Sequence, residues 1–171
     1  MSKSPIRVAI VDDEASVRTA LARLLSASSF EPQTYGTARE FTFYMEAKSI
    51  ITSPSGGQKI PGAGFVEIRG IAWSGHGKVV RVDVAVDGGG TWAQAALQEP
   101  VMTRALTRFR YPWQWNGRPT VIASRVVDET GYVQPAFEQL LGERGVNSIY
   151  HNNAIQPWRV ADSGEVSNAN G

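Results

Sequence analysis

Asp12 and Asp13 close a short apolar run, IRVAIV, and Glu14 follows them directly. Carboxylates at the carboxyl end of a strand in a parallel sheet sit where α/β sheets bind ligands. Two adjacent acids there can hold a hard, oxygen-seeking cation such as Mg²⁺. The same residues can instead open the following helix, with Asp13 or Glu14 favoured by its positive end. A second constellation is Arg108 and Arg110, which alternate with Phe109 and Tyr111, so one strand face can carry both guanidinium groups. A guanidinium fork donates two parallel hydrogen bonds to an oxyanion, which makes such a position a candidate anion contact. The competing reading is an exposed strand arginine, or one at a subunit contact.

Other chemistry is sparse. The chain has no Cys, which excludes disulfides, thiolate metal sites and a cysteine nucleophile. His76 lies between glycines in SGHG and reads as a solvated turn residue. His151, beside Asn152 and Asn153, reads as structural, in an irregular loop whose amides satisfy backbone groups. No acidic third ligand is spaced with either histidine. Ser55-Gly56-Gly57-Gln58-Lys59 has the small residues of a phosphate loop but not the GxxxxGK[ST] spacing, and reads as a turn.

The elements that must position these residues fall into two textures. Residues 6–11 read as a strand buried in a parallel sheet, and residues 15–26 as a helix. That helix sets Val17, Leu21, Leu24 and Leu25 on one side, with Arg18 and Arg23 outside. Residues 30–35 read as a second strand and 36–40 as the start of a second helix. From residue 41 short alternating runs are separated by Gly and Pro. Strands are expected at 43–51, 65–73, 78–86, 106–115, 120–127 and 157–160. Asp87-Gly88-Gly89-Gly90 signals a hairpin whose return strand begins at Thr91-Trp92, and Asp128-Glu129-Thr130-Gly131 reads as a turn. About seven short strands in this stretch point to a β-sandwich of immunoglobulin type, with Trp73, Trp92 and Trp113 filling its core. Residues 163–171 read as a loose polar tail.

Composition agrees with a soluble globular protein: 171 residues, 42% hydrophobic, 19% charged, net charge +1. No basic run suggests nucleic acid or a membrane as partner. The N-terminal apolar stretch is too short for a signal peptide or a membrane span, so the sequence as written reads as cytoplasmic.

Two resemblances follow from these residues. Residues 6–41, with VAIVDDE and the helix after it, resemble the first third of a response-regulator receiver domain. That resemblance implies Mg²⁺ at Asp12 and Asp13. A receiver also needs a phosphoacceptor Asp on its third strand, then a Thr/Ser and a Lys, and no such strands follow Glu40. The segment therefore reads as a remnant whose metal site is non-functional.

Residues 41–171 carry MEAKSIITSPSGGQKI, GIAWSGHGKVVRVDVAVDGGGTW, FRYPWQW, DETGYVQP and YHNNAIQPWRV in order. They resemble the C-terminal dimerisation domain of sulfite oxidase and sulfite dehydrogenase, the molybdopterin oxidoreductases, whose members are often periplasmic. The resemblance implies an immunoglobulin-like domain that pairs two subunits. It also implies a preceding molybdenum domain, with a Cys thiolate on the metal, and it matches Arg110 to an arginine that reaches the oxyanion pocket. The expected architecture is mainly β: a truncated β-α-β receiver-like segment, residues 1–40, before an immunoglobulin-like sandwich, residues 41–171. The expected function is self-association as a homodimer, with no cofactor in this chain and molybdopterin at family level only. The alternative is the C-terminal part of a molybdenum oxidoreductase acting on sulfite with a separate catalytic chain.

Overall fold

Alternation of apolar and polar residues dictates most of the architecture, because a strand with one face on a core must place every second side chain inward. A computed structural model of the chain describes residues 6–28, 30–35, 45–144 and 152–169.

The first segment is strand, helix, strand: β1 (Ile6–Val11), α1 (Ala15–Ala27) and β2 (Phe30–Tyr35). The strands pair in parallel, with Ile6 opposite Phe30 and Val11 opposite Tyr35. The expected apolar stripe of α1 is not buried: Leu21 is 41% and Leu24 66% exposed. Among the described residues only a two-stranded sheet lies beneath the helix, too narrow to cover the stripe. Arg18 also departs from expectation, folding back so that Nη1 donates to the Asp12 carbonyl at 2.6 Å. The helix expected at 36–40 and the boundary expected at 40/41 lie outside the described residues.

The described residues of the second segment supply nine strands and a helix. They are β3 (Lys48–Ser53), β4 (Gly64–Trp73), β5 (Val79–Ala85), β6 (Ala93–Gln94), β7 (Ala96–Leu97), β8 (Thr107–Trp115), β9 (Thr120–Asp128), α2 (Phe137–Arg144), β10 (Trp158–Val160) and β11 (Val166–Asn168). One sheet runs β3-β4-β8-β7 and the other β11-β10-β9-β5-β6. Between them lies one core. Ile51, Ile68, Phe109, Trp113 and Trp115 come from the first sheet, and Val82, Val84, Ile122, Val126 and Val160 from the second. Burying each such side chain is worth about 1.5–3 kcal/mol. Gly70 stands opposite Phe109 on β8. A Cβ on Gly70 would fall 2.2 Å from the Phe109 ring and 2.3 Å from the Ile50 carbonyl oxygen, so only glycine lets strand and ring close together.

Several expectations are corrected. The strand expected from residue 43 begins at Lys48; residues 41–44 lie outside the described residues, and 45–47 are not strand. The Met45 carbonyl accepts the Gly75 N–H and the Ala47 carbonyl accepts Asn153 Nδ2, so their carbonyls serve loops rather than a ladder. The return strand after Gly90 does not start at Thr91, because the Asp87 carboxylate takes both the N–H and the hydroxyl of Thr91 and closes the turn. Trp92 is outside the core, stacked under Arg125 at 4.4 Å. Trp73 sits on the outward register of β4 and is half-buried, and Trp115, 6.1 Å from Trp113, takes the interior place. The tail expected to be loose instead forms β11 against β10. Helix α2 was not foreseen; among its described side chains only Leu140 is buried, so its apolar periodicity is weak.

Candidate functional site

Strand β8 alternates buried Thr107, Phe109, Trp113 and Trp115 with outward Arg108, Arg110, Pro112 and Gln114. Both arginines therefore share the outer face, as their spacing predicts. The antiparallel register sets Arg69 of β4 directly opposite Arg110. Like charges in that position repel. Glu67 lies between them, 3.7 Å from Arg110 Nη1 and 3.8 Å from Arg69 Nε, and each arginine side chain is 57% exposed. The result is an exposed cationic face, three guanidinium groups to one carboxylate, on the outer side of the sheet. It can hold an anion or an acidic surface presented to it. A pocket for a small oxyanion would need further walls.

The two aspartates lie elsewhere. Asp12 Oδ1 accepts the Glu14 N–H at 2.8 Å, an Asx turn that leads into α1, and Asp13 is exposed. Glu14 occupies the N-cap position without a side-chain cap. Among the described residues no group of three His, Asp or Glu is placed to hold a metal. His76 is exposed in its turn, where its N–H donates to Ser74 Oγ. His151 lies outside the described residues. Asn152 and Asn153 serve backbone groups as expected: Asn152 Oδ1 accepts the Ala154 N–H, and Asn153 Nδ2 donates to the Ala47 carbonyl. The Lys48 amine donates to the Asn152 carbonyl, and burial holds that amine below the usual lysine range.

The residues with the most partners are polar ones that sequence reasoning passed over, both in DETGYVQP. Gln134 Oε1 accepts from Ser49 N (2.9 Å), Ser49 Oγ (2.8 Å) and Val126 N (3.3 Å), while Nε2 donates to the carbonyls of Ser49 and Ala154. Ser49 Oγ also meets Ser124 Oγ at 3.0 Å, so the cluster joins β3 of one sheet to β9 of the other. Asp128 is 1% exposed and accepts from Ser74 Oγ (2.7 Å), Thr130 Oγ1 (2.6 Å), Thr130 N and Tyr132 N. Burial alone would raise its pKa, but these four donors outweigh it and hold the carboxyl below the usual range. An Asp two residues before a Thr-Gly in a predicted turn was the available signal.

On the outer face of the second sheet, α2 and the Gly88-Gly89 turn frame a groove of about 640 Å³. Trp92, Val121, Val133, Phe137, Ile155 and Pro157 supply apolar lining, with Arg125, Arg159 and Glu138 among its polar groups. Arg125 is fixed there by Asp83 Oδ2 at 3.2 Å as well as by Trp92, and Asp83 also pairs with Arg81 at 3.1 Å. The described residues thus form a two-sheet body with one cationic face and one grooved face.

Comparison with known proteins agrees. Residues 39–158 match the family model described as Mo-co oxidoreductase dimerisation domain. The chain belongs to that family, the dimerisation domain of the sulfite oxidase and sulfite dehydrogenase group. It is 41% identical over 119 residues to mitochondrial sulfite oxidase of Mus musculus, covering 64% of this chain and 21% of that protein. To the Homo sapiens enzyme it is 38% identical over 98 residues, covering 53% and 18%. Among solved structures, the sulfane dehydrogenase SoxCD from Paracoccus pantotrophus superposes with a TM-score of 0.71 at 50% identity, covering 72% of this chain and 32% of that one. The chain thus spans about a fifth of the length of the curated relatives it matches. Among the described residues no helix is long and apolar enough to cross a membrane.

Proposed function

We propose that this chain is a self-association module that forms a homodimer through residues 41–160, with residues 1–40 as a separate, receiver-like unit outside that contact. The observation that carries this reading is the match of residues 39–158 to a dimerisation domain. The strand order supports an immunoglobulin-like assignment: β3-β4-β8-β7 corresponds to A-B-E-D, and β10-β9-β5 to G-F-C. The parallel β1-α1-β2 unit is compatible with a receiver ancestry, and Asp12 and Asp13 would then be remnants of an Mg²⁺ pair. Light scattering coupled to size-exclusion chromatography tests the main reading. A mass of twice the chain supports it, and a monomer at micromolar concentration rejects it.

One observation favours a second reading. Among the described residues Arg110 keeps an exposed guanidinium with a single long ion pair, as a group waiting for an anion on a separate catalytic chain would. In that reading Arg110 contributes an oxyanion contact to a molybdenum oxidoreductase acting on sulfite. Purification from the native host decides between them: stoichiometric molybdenum on a co-purifying, cysteine-bearing partner favours the second.

A further inference from the structure

Two faces of the sandwich are available for association, and their charges distinguish them. An isologous contact places a surface against its own copy, related by a two-fold axis. On the outer face of β4 and β8, that operation would bring Arg69, Arg108 and Arg110 toward the same three residues of the partner, with only Glu67 to offset them. Desolvated like charges are costly, so this face is unsuited to self-pairing.

The grooved face has the opposite character. β9 alternates core residues Ile122, Ser124 and Val126 with outward Val121, Ala123 and Arg125, and Arg159 of β10 stands opposite Val121. The groove wall is preorganised, since Arg125 is held by both Asp83 and Trp92. A fixed Trp–Arg pair is the composition typical of an interface hot spot. At the rim stand apolar side chains that remain uncovered: Val133 is 45% and Phe137 46% exposed. The groove also carries both signs of charge, Glu138 on α2 and Arg159 on β10, and neither makes an ion pair among the described residues. One surface therefore holds a knob, a hollow, an acid and a base. These are the elements of self-complementarity.

We infer that this groove is the two-fold dimer contact: Phe137 of one copy enters the groove of the other beside Trp92, and Glu138 meets Arg159 across the axis. The inference rests on the self-association reading and adds to it the surface and its register. The cationic face of β4 and β8 is left free in the dimer.

Sedimentation equilibrium on the full chain tests it, with wild type, Phe137→Asp, Glu138→Arg, Arg159→Glu, the double charge reversal, and Phe65→Ser as a control. Phe65 is 70% exposed on the other sheet, so its replacement leaves the dimer unchanged. Phe137→Asp should raise the dimer Kd about 30-fold or more, the scale of a truncated hot spot. Each charge reversal should weaken the dimer, and the double reversal should restore it. Far-UV circular dichroism separates loss of pairing from loss of fold. A wild-type dimer that Phe137→Asp and both single reversals leave intact overturns the groove assignment alone, and leaves a small ligand or peptide as its occupant. A monomeric wild type overturns the self-association reading and this inference with it.

Discussion

Gln134 and Ser49 lie 85 residues apart in sequence, yet the Gln134 amide oxygen accepts both the backbone N–H and the hydroxyl of Ser49, at 2.9 and 2.8 Å. Both side chains are buried, at 2% and 0% exposure. Because Gln134 also reaches Val126 and Ala154, one amide closes the seam between the two sheets. Gln134→Leu keeps the volume but removes the acceptor of the Ser49 and Val126 N–H groups, while the Ser49 hydroxyl keeps Ser124 Oγ. Each such buried donor costs about 1–3 kcal/mol, so we expect a loss of roughly 3 kcal/mol in urea unfolding with an unchanged m-value. A loss under about 1 kcal/mol would mean the seam does not depend on the amide.

Asp128 gives the fold an acid-sensitive point. Its carboxyl titrates below the ordinary value of 3.8 in the folded chain, because the donors from Ser74, Thr130 and Tyr132 outweigh desolvation. The folded pKa being the lower one, the stabilisation is fully present above the unfolded value and disappears as pH falls through the folded value. Asp128→Asn should therefore be less stable than wild type at pH 7, with the gap narrowing below about pH 4. Parallel stability curves for the two proteins down to pH 2.5 would rule this out.

Much of the sandwich was legible because its strands obey the period-two rule over five or more residues, as β4, β8 and β9 do. Elements that depend on distant partners were not. Lys48 starts β3 because residues 45–47 give carbonyls to Gly75 and Asn153, which no local pattern records. Trp92 looked like core because it is large and apolar, yet Asp83 fixes Arg125 where the indole can stack on it. For the candidate site, β8 alternation placed Arg108 and Arg110 on one face. The opposed Arg69, with Glu67 between, is a matter of register, invisible without the β4–β8 pairing.

The position of Gly70 supplies a steric test. Gly70→Ala brings a methyl within 2.3 Å of the Ile50 carbonyl, which is backbone and cannot rotate away. We expect about 2–3 kcal/mol of destabilisation, in the range of overpacking changes. Trimming the ring with Phe109→Leu in the same chain should not rescue it, because the carbonyl remains. Rescue in a double-mutant cycle would show that the ring alone sets the requirement.

Arg110 and Glu67 should behave unequally. With 57% of its side chain exposed and a 3.7 Å ion pair, Arg110 contributes little, and Arg110→Ala should alter stability by less than about 0.5 kcal/mol. Glu67→Ala leaves Arg69 facing Arg110 with nothing between them, so it should cost more, and its cost should shrink between 20 mM and about 500 mM salt as screening grows. A cost that is independent of salt would assign Glu67 a packing role instead.

The C-terminal segment is the last point of test, because its composition suggests a free tail and its contacts do not. β11 pairs with β10 through Trp158–Asn168, Arg159–Ser167 and Val160–Val166. Its approach is fixed too: Gly57 N donates to the Val166 carbonyl, Val166 N to the Gln58 carbonyl, and Ile60 N to the Gly164 carbonyl at 2.8 Å. Val166 is 4% exposed, worth about 1.5–2 kcal/mol of burial. Gly164 adopts φ +82°, and a Cβ there would fall 2.1 Å from the Ile60 carbonyl oxygen, so a side chain is excluded by conformation and by space. Deleting residues 163–171 should therefore lower stability by about 2–4 kcal/mol and expose β10 as a new sheet edge. Gly164→Ala alone should produce a large part of that loss while keeping every other residue in place. A truncated chain that melts at the wild-type temperature would show that the 57–60 loop and β10 hold without it.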